Sequence, residues 1–157
     1  MMEITYHSRR AGKSYLQKQI KEKMETIENI SNGKMDGEIL YICDVRHNGN
    51  PFEKFIRNVK PTKVIVTNND ELPKNKRIYY SESHFVPLDK NDKPTKKVIG
   101  LYDNTGYRSY TGTPLNVFKN IKDCEDCYSI QKKSILSDME SHLNNLSLKV
   151  EEFRNEI

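Results

Sequence analysis

The residues at positions 7–14 have the types and spacing of a phosphate-binding segment. The chain there reads His7-Ser8-Arg9-Arg10-Ala11-Gly12-Lys13-Ser14, which ends like the pattern Gly-x-x-x-x-Gly-Lys-Ser/Thr but has histidine in place of the first glycine. In such a segment backbone amides and a helix N-terminus hold phosphate oxygens, while the lysine reaches the β- and γ-phosphates. The residues predicted to bind phosphate are Arg9, Arg10, Lys13 and Ser14. The alternative is a basic helix start that binds nothing specific.

Two resemblances follow from these residues and from the apolar stretch 39–43. The arginine-rich run ahead of Gly-Lys-Ser resembles the variant phosphate loops of phage packaging ATPases, which implies Mg²⁺ as a cofactor at Ser14; no other cofactor is expected. The apolar stretch followed by Asp44 resembles a Walker-B strand, and the ending Asp-Val-Arg resembles phage-type deoxynucleoside monophosphate kinases. These resemblances imply that Asp44 and Arg46 lie near a bound nucleotide. The alternative is that Asp44 caps a helix or a turn.

A third candidate segment, residues 102–114, is rich in tyrosine, glycine and hydrogen-bonding side chains. Tyrosine faces can stack on bases, arginine can bind a phosphate in a forked geometry, and glycine lets the backbone approach a ligand closely. The residues predicted to meet the base or sugar of a nucleotide are Tyr102, Asn104, Tyr107 and Arg108. The alternative is a hairpin whose tyrosines merely cover a sheet.

The cysteines predict neither a metal site nor a disulfide framework. Cys124 and Cys127 have CxxC spacing, but a zinc site needs four ligands and the chain has no second paired motif. Three cysteines cannot all pair within one chain, which favours a reducing cytoplasm. We expect no bound metal and a cytoplasmic location.

The C-terminal region has the most regular apolar pattern in the chain. Seven apolar residues alternate at spacings of three and four: Leu136, Met139, Leu143, Leu146, Val150, Phe153 and Ile157. This is the a/d pattern of a coiled coil, on a stretch that has no glycine or proline from Asn120 onward. The pattern predicts a helix that pairs with the same helix of another copy; the alternative is a helix that packs on its own domain.

Apolar periodicity also predicts the elements that position these segments. Strands are predicted over 2–6, 38–45 and 63–67, with helices starting near Lys13 and Pro51 between them, which is the order of a parallel α/β layer. The predicted inward residues of the two helices are Leu16, Ile20, Met24 and Ile27, and Phe52, Phe55, Ile56 and Val59. Further short strands are predicted over 77–80 and 97–102, with a hairpin return at 107–110. The fold class expected is α/β or α+β, a small mixed sheet with flanking helices and a long C-terminal helix.

Composition bounds the class of protein. The 157 residues suffice for about one domain, and 31% of them are charged. The longest strongly apolar stretch, 39–43, is far shorter than the ~20 residues of a membrane span. Residues 1–119 carry 21 basic against 14 acidic side chains, a balance of +7, whereas residues 120–157 carry 5 against 8, a balance of −3. We therefore expect a basic ligand-binding domain over 1–119, followed by an oligomerisation helix over 120–157.

These observations favour a binding protein over an enzyme. Only 24 residues separate Ser14 from Ile39, too few for the nucleoside-binding and lid segments of a kinase. The leading hypothesis is a non-catalytic binder of a phosphorylated small molecule, most plausibly a nucleotide. The alternatives are a nucleic-acid- or host-protein-binding accessory protein and a degenerate P-loop kinase or ATPase. Asparagine, lysine and isoleucine usage with the variant loop resembles small accessory proteins of tailed phages, which implies a host cytoplasm, a host nucleotide signal or an inhibited host enzyme.

Overall fold

The computed structural model describes residues 2–47, 55–102 and 113–156. Two long helices flank a four-stranded sheet, so the fold is α+β with a long C-terminal helix, as the sequence predicts. The elements are α1 (Met2–Ser31), β1 (Ile39–His47), β2 (Phe55–Asn68), β3 (Ser83–Pro87), β4 (Asn116–Phe118) and α2 (Ile121–Asn155), with short 3₁₀ turns at Asn69–Glu71 and Lys74–Lys76.

All the strands of this sheet pair antiparallel, in the order β3-β2-β1-β4, so the predicted parallel layer and mixed sheet are wrong. The connection from β1 to β2 spans only residues 48–54, whereas a parallel crossover needs about a dozen residues or more. The helix predicted from Pro51 is wrong over the described residues, because burial from position 57 onward alternates with period two along β2. Phe52 lies outside the described residues. Pro61 lies where the β1–β2 register shifts, between the pairs Ile42–Thr62 and Asp44–Val59, a place where a strand tolerates proline.

The helix α1 replaces the strand predicted over 2–6 and the polar stretch predicted over 7–12. No proline precedes position 51, and the single glycine at position 12 costs a helix only about 1 kcal/mol. The predicted stop after Ser31 is confirmed: Gly33 has a φ of 75°, its amide donates to Ile30 O, and the amide of Lys34 donates to Asn29 O. This is the Schellman pattern, which satisfies the last helical carbonyls.

Among the α1 side chains that the structure describes, from position 17 onward, those of the last turns cover the sheet. Ile27 and Ile30 are buried, but Ile20 and Met24 are 59% and 66% exposed, so the predicted inward face is wrong at those two positions. The side chain of Leu16 lies outside the described residues. The buried apolar cluster is completed by the sheet and by the chain that returns along its edge: Leu40, Ile42, Val59, Val64, Val66, Phe85, Ile99, Leu101 and Leu115.

Residues 69–82 and 88–102, on either side of β3, form loops and short 3₁₀ turns that differ in part from the strands predicted there. The strand predicted over 77–80 is wrong, because this stretch is a turn whose backbone bonds to side chains rather than to a neighbouring strand. Of the strand predicted over 97–102, only Ile99 makes a bridge, to Phe85. The hairpin return predicted at 107–110 lies outside the described residues.

The helix α2 begins at a capped end and then leaves the sheet. The side chain of Asn120 accepts a hydrogen bond from the amide of Asp123 at 2.9 Å, as a good N-cap does. Cys124, Tyr128 and Gln131 bond to β1 and β2, which fixes the first three turns on the sheet. From Lys132 to Glu156 no residue is buried. At 1.5 Å per residue this part projects for about 36 Å.

Candidate functional site

The sheet holds a buried carboxylate at its centre. Asp44 is fully buried on β1, where residues 42–45 are all buried because both faces of the strand are covered. Its Oδ2 accepts hydrogen bonds from Arg57 Nε and from Arg46 Nε, the latter at 2.9 Å. Its Oδ1 accepts from Asn116 Nδ2 at 3.1 Å and from Gln131 Nε2 at 3.0 Å. Four protein donors thus solvate the charge in place of water.

The partner cation is as deeply buried as the carboxylate. Arg57 is 1% exposed, and it donates to the carbonyls of Thr113 and Pro114 at 2.6 and 3.0 Å. The pair therefore joins β1 and β2 to the segment that enters β4. Among the predicted ligand residues, Asp44 and Arg46 are brought together, but they bind each other and the surrounding protein groups. The buried members of the cluster are bonded to one another or to backbone carbonyls and so stabilise this part of the fold, while the side chain of Arg46 is 39% exposed.

Three thiols lie beside this cluster, where α2 meets β1. Cys43 and Cys124 are buried and Cys127 is half-buried, and the Cys43 thiol donates to the carbonyl of Cys124 at 3.5 Å. Hydrogen bonding to Cys124 raises the pKa of Cys43 to about 12, and hydrogen bonding to Cys43 also raises the pKa of Cys127. Both thiols therefore stay protonated at neutral pH. No group of three or more histidine, cysteine or acidic side chains is arranged to hold a metal ion in the described part of the chain.

A second buried polar group fixes the loop between β2 and β3. The side chain of Asn69 accepts a hydrogen bond from the amide of Ile78 at 3.2 Å and donates to the carbonyls of Ile78 and Ser81, each at 2.9 Å. The Nε2 of His84 lies 2.6 Å from the same Ile78 carbonyl. Burial lowers the pKa of His84, so the ring is neutral at pH 7 and its Nε2 is the donor.

This fixed loop carries a surface that is both basic and aromatic. Lys76 Nζ donates to the carbonyl of Lys96, which joins the segments 74–79 and 96–97. These segments carry the exposed side chains of Lys74, Tyr79, Lys96 and Lys97 and the half-buried side chains of Lys76 and Arg77, and we call these six residues the basic loop surface. Tyr79 is 79% exposed, the highest value among the large apolar side chains described. This surface was not predicted from the sequence, although the run Lys-Asn-Lys-Arg-Ile-Tyr-Tyr at positions 74–80 indicates it.

Tyr80 and Tyr102 support the basic loop surface from behind. Their rings pack edge to face with centroids 5.5 Å apart, and the amide of Tyr102 donates to the Tyr80 hydroxyl at 3.1 Å. A Cβ added at Gly100 would overlap that hydroxyl, so a larger residue there would force the Tyr80 side chain to move. Tyr102, predicted to meet a base, is thus half-buried against Tyr80. The predicted ligand residues Asn104, Tyr107 and Arg108 lie outside the described residues.

The N-terminal candidate residues are part of α1. Residues 9–14 lie in the interior of a continuous helix, with their side chains outside the described part of the structure. A phosphate loop binds its ligand with free backbone amides, whereas in the interior of a helix those amides are bonded to carbonyls four residues earlier. Phosphate binding at Arg9, Arg10, Lys13 and Ser14 remains a prediction that now depends on side chains.

The predicted apolar stripe lies on the projecting part of α2. Its described members are 43–68% exposed except for Met139, which is half-buried: Leu136, Leu143, Leu146, Val150 and Phe153. Ile157 lies outside the described residues. No helix in the described ranges is long and apolar enough to cross a membrane.

Comparison of the chain with protein-family models, with curated proteins and with solved structures finds no match. Functional inference for this protein therefore depends on its own residues and their geometry.

Proposed function

We propose that this protein is a non-catalytic binding protein that works as a homodimer, with α2 as the dimerisation helix. The observation that carries the proposal is the exposure of the apolar stripe over five turns of a helix that has already left its own sheet. Soluble monomers rarely expose a continuous apolar ridge of this length. Two helices with the same spacing of three and four can bury both stripes against each other.

The charges beside the stripe favour an antiparallel pair. In the heptad that places Leu143 at position a, Glu140 and Arg154 occupy e positions, and Lys149 occupies a g position. In an antiparallel pair centred near Ser147, Glu140 of each copy lies beside Arg154 of the other, so this contact forms at both ends. In a parallel pair, Lys149 of each copy would instead lie beside Arg154 of the other. The antiparallel dimer is therefore favoured, because opposite charges meet in it whereas like charges meet in the parallel dimer. One unfavourable contact, between the two Lys149 side chains, remains at the centre of the antiparallel dimer.

Light scattering of the purified protein tests the proposal. We expect twice the chain mass of 18.4 kDa for the wild type and a single chain mass for Leu143→Asp with Leu146→Asp. Burying each leucine is worth ~1.5–3 kcal/mol, and four leucines are lost from the pair of copies, so the dimer is weakened by roughly 10⁴-fold or more.

A matched control lies in the same turn of the helix. Asn144→Asp with Asn145→Asp adds the same two charges between the two leucines but off the stripe, and should leave the dimer intact. A wild-type protein that is monomeric at tens of micromolar would overturn the proposal. Equal loss of the dimer in both double variants would show that charge, and not the stripe, controls association.

The second candidate function is the binding of a phosphorylated small molecule, namely a nucleotide, in the cytoplasm. It is supported by the +7 balance of residues 1–119 and by the exposure of Lys18 and Lys21 on the same helix as the N-terminal cations. Mass spectrometry of small molecules released from the purified protein tests it directly. Arg10→Ala with Lys13→Ala should abolish binding of a ligand so identified, whereas unchanged affinity would remove this segment from the site.

A further inference from the structure

The basic loop surface gathers five cations from two chain segments. Lys74, Lys76 and Arg77 come from one segment, and Lys96 and Lys97 from the other. Neither the stretch 72–80 nor the stretch 94–98 contains an acidic residue. None of the five cations forms an ion pair within the described residues, since the three ion pairs found there involve other side chains. Their positive charge is therefore available to an anionic partner.

The loop that carries these cations is fixed before any partner arrives. Buried Asn69 makes three hydrogen bonds to its backbone, and buried His84 makes a fourth. Arg77 Nε donates to the carbonyl of Leu72 at 3.1 Å, which closes the loop at its base. A surface that is already ordered loses less conformational entropy on binding, so its contacts contribute more to affinity. A merely solvated loop would not need buried polar anchors.

An exposed aromatic ring stands among the cations. Tyr79 is 79% exposed, while its neighbour Tyr80 packs against Tyr102 and His84. A tyrosine face stacks on an unpaired base, and lysine and arginine groups spaced along two segments match a chain of phosphates. A small ligand would use few of these cations, and an acidic peptide would leave the tyrosine face without a partner.

We propose that the basic loop surface binds single-stranded nucleic acid, with Tyr79 stacking on a base and the surrounding lysines contacting successive phosphates. The inference goes beyond dimerisation and does not depend on it. In an antiparallel dimer the two sheet domains lie at opposite ends of the paired helices. Two such surfaces would then bind one long strand at separate points.

Fluorescence anisotropy with labelled oligo-dT of about 15 nucleotides tests the proposal. Tyr79→Ala should weaken binding about 10-fold and leave the salt dependence unchanged, because stacking involves no counterion release. Lys96→Ala with Lys97→Ala should reduce the slope of log affinity against log salt by about 1.4, the value for two phosphate contacts on a single strand. Circular dichroism melts confirm that the variants are folded.

The matched control is Lys132→Ala with Lys133→Ala, an exposed lysine pair on α2 that should change neither quantity. Equal effects of the two lysine pairs, or full affinity in Tyr79→Ala, would overturn the proposal. Polyglutamate provides a further test. If it displaces the oligonucleotide and binds Tyr79→Ala as tightly as it binds the wild type, the surface would be assigned to acidic proteins instead. The monomeric variant Leu143→Asp with Leu146→Asp should keep its affinity for the short probe, so failure of dimerisation and failure of this proposal give different results.

Discussion

At the scale of single residues, buried polar groups decide how the sheet edges are held. Arg57 reaches from β2 to carbonyls at positions 113 and 114, which lie just before β4 and are not part of the strand ladder. Asp44 supplies the compensating charge, because an isolated guanidinium would be very costly in this interior. At the opposite edge of the sheet, the side chains of Asn69 and His84 likewise bond to the backbone of the loop before β3. These bonds hold the loop in place of hydrogen bonds to a neighbouring strand.

Asp44→Asn should lower the free energy of unfolding by about 3–5 kcal/mol, because Arg57 would keep its charge without a buried partner. Urea unfolding followed by circular dichroism measures the loss. Asp92→Asn is the control, since it breaks an ion pair with Lys63 that lies on the surface and should change stability far less. Similar losses in the two variants would mean that water reaches Arg57.

The stability of the protein should fall as the pH is lowered from about 7.5 toward 5. Burial holds the pKa of His84 below its usual value of 6.5, so the unfolded chain binds a proton in this range before the folded protein does. Stability from this residue is present above pH 6.5 and is lost below it, with a limiting slope of about 1.4 kcal/mol per pH unit. His84→Gln should flatten this slope, which urea unfolding at a series of pH values measures. A slope that is unchanged in His84→Gln would contradict this assignment.

At the scale of elements, both long helices leave the sheet along part of their described length. The last turns of α1 and the first turns of α2 lie on the sheet, while Ile20 and Met24 on α1 and the stripe on α2 face solvent. The projecting turns of such a helix receive little stabilisation from contacts with their own sheet domain. The antiparallel pairing of α2 proposed above supplies the missing contacts.

Charge reversal on α2 tests that orientation. Glu140→Lys should weaken the dimer, because it places like charges beside Arg154 of the second copy at both ends. Arg154→Glu should weaken it for the same reason, and the double variant should recover most of the lost affinity, with each pair worth about 0.5 kcal/mol. Sedimentation equilibrium measures the three dissociation constants. Additive losses in the double variant would exclude the antiparallel register.

At the scale of the whole molecule, the described core of the sheet domain does not extend onto the projecting part of α2. Among the described residues, the buried apolar cluster ends at Leu115, with Val117 packed against it, and the hydrogen bonds identified there between α2 and the sheet end at Gln131. We therefore expect the proposed dimer to join two sheet domains that are already folded.

Truncation after Ser134 should give a monomer that still unfolds cooperatively. The deleted residues contain no buried side chain among those described, so the midpoint in urea should match that of the monomeric Leu143→Asp with Leu146→Asp variant. Light scattering and urea unfolding of the two proteins provide the comparison. A truncated chain without a cooperative transition would show that the projecting turns stabilise the sheet.

The sequence by itself determined the local features of this protein. The spacing of the stripe gave the long C-terminal helix, Ser31-Asn32-Gly33 gave the end of α1, and apolar runs gave β1 and the middle of β2. Each of these depends on neighbours within one or two turns or on period-two alternation, which a sequence displays directly.

Only the tertiary structure decided how these pieces meet. The antiparallel order follows from strand pairing between distant segments, and the burial of Arg57 depends on groups at positions 44, 113 and 114. The helical state of residues 2–12 contradicted a local pattern of alternating polarity, since propensity over a few residues is a weak guide. The basic loop surface exists because Lys76 bonds to Lys96, 20 positions away, and Asn69 holds the backbone between them. A sequence shows residue types, but the hydrogen bonds that fix a loop form only after the chain has folded.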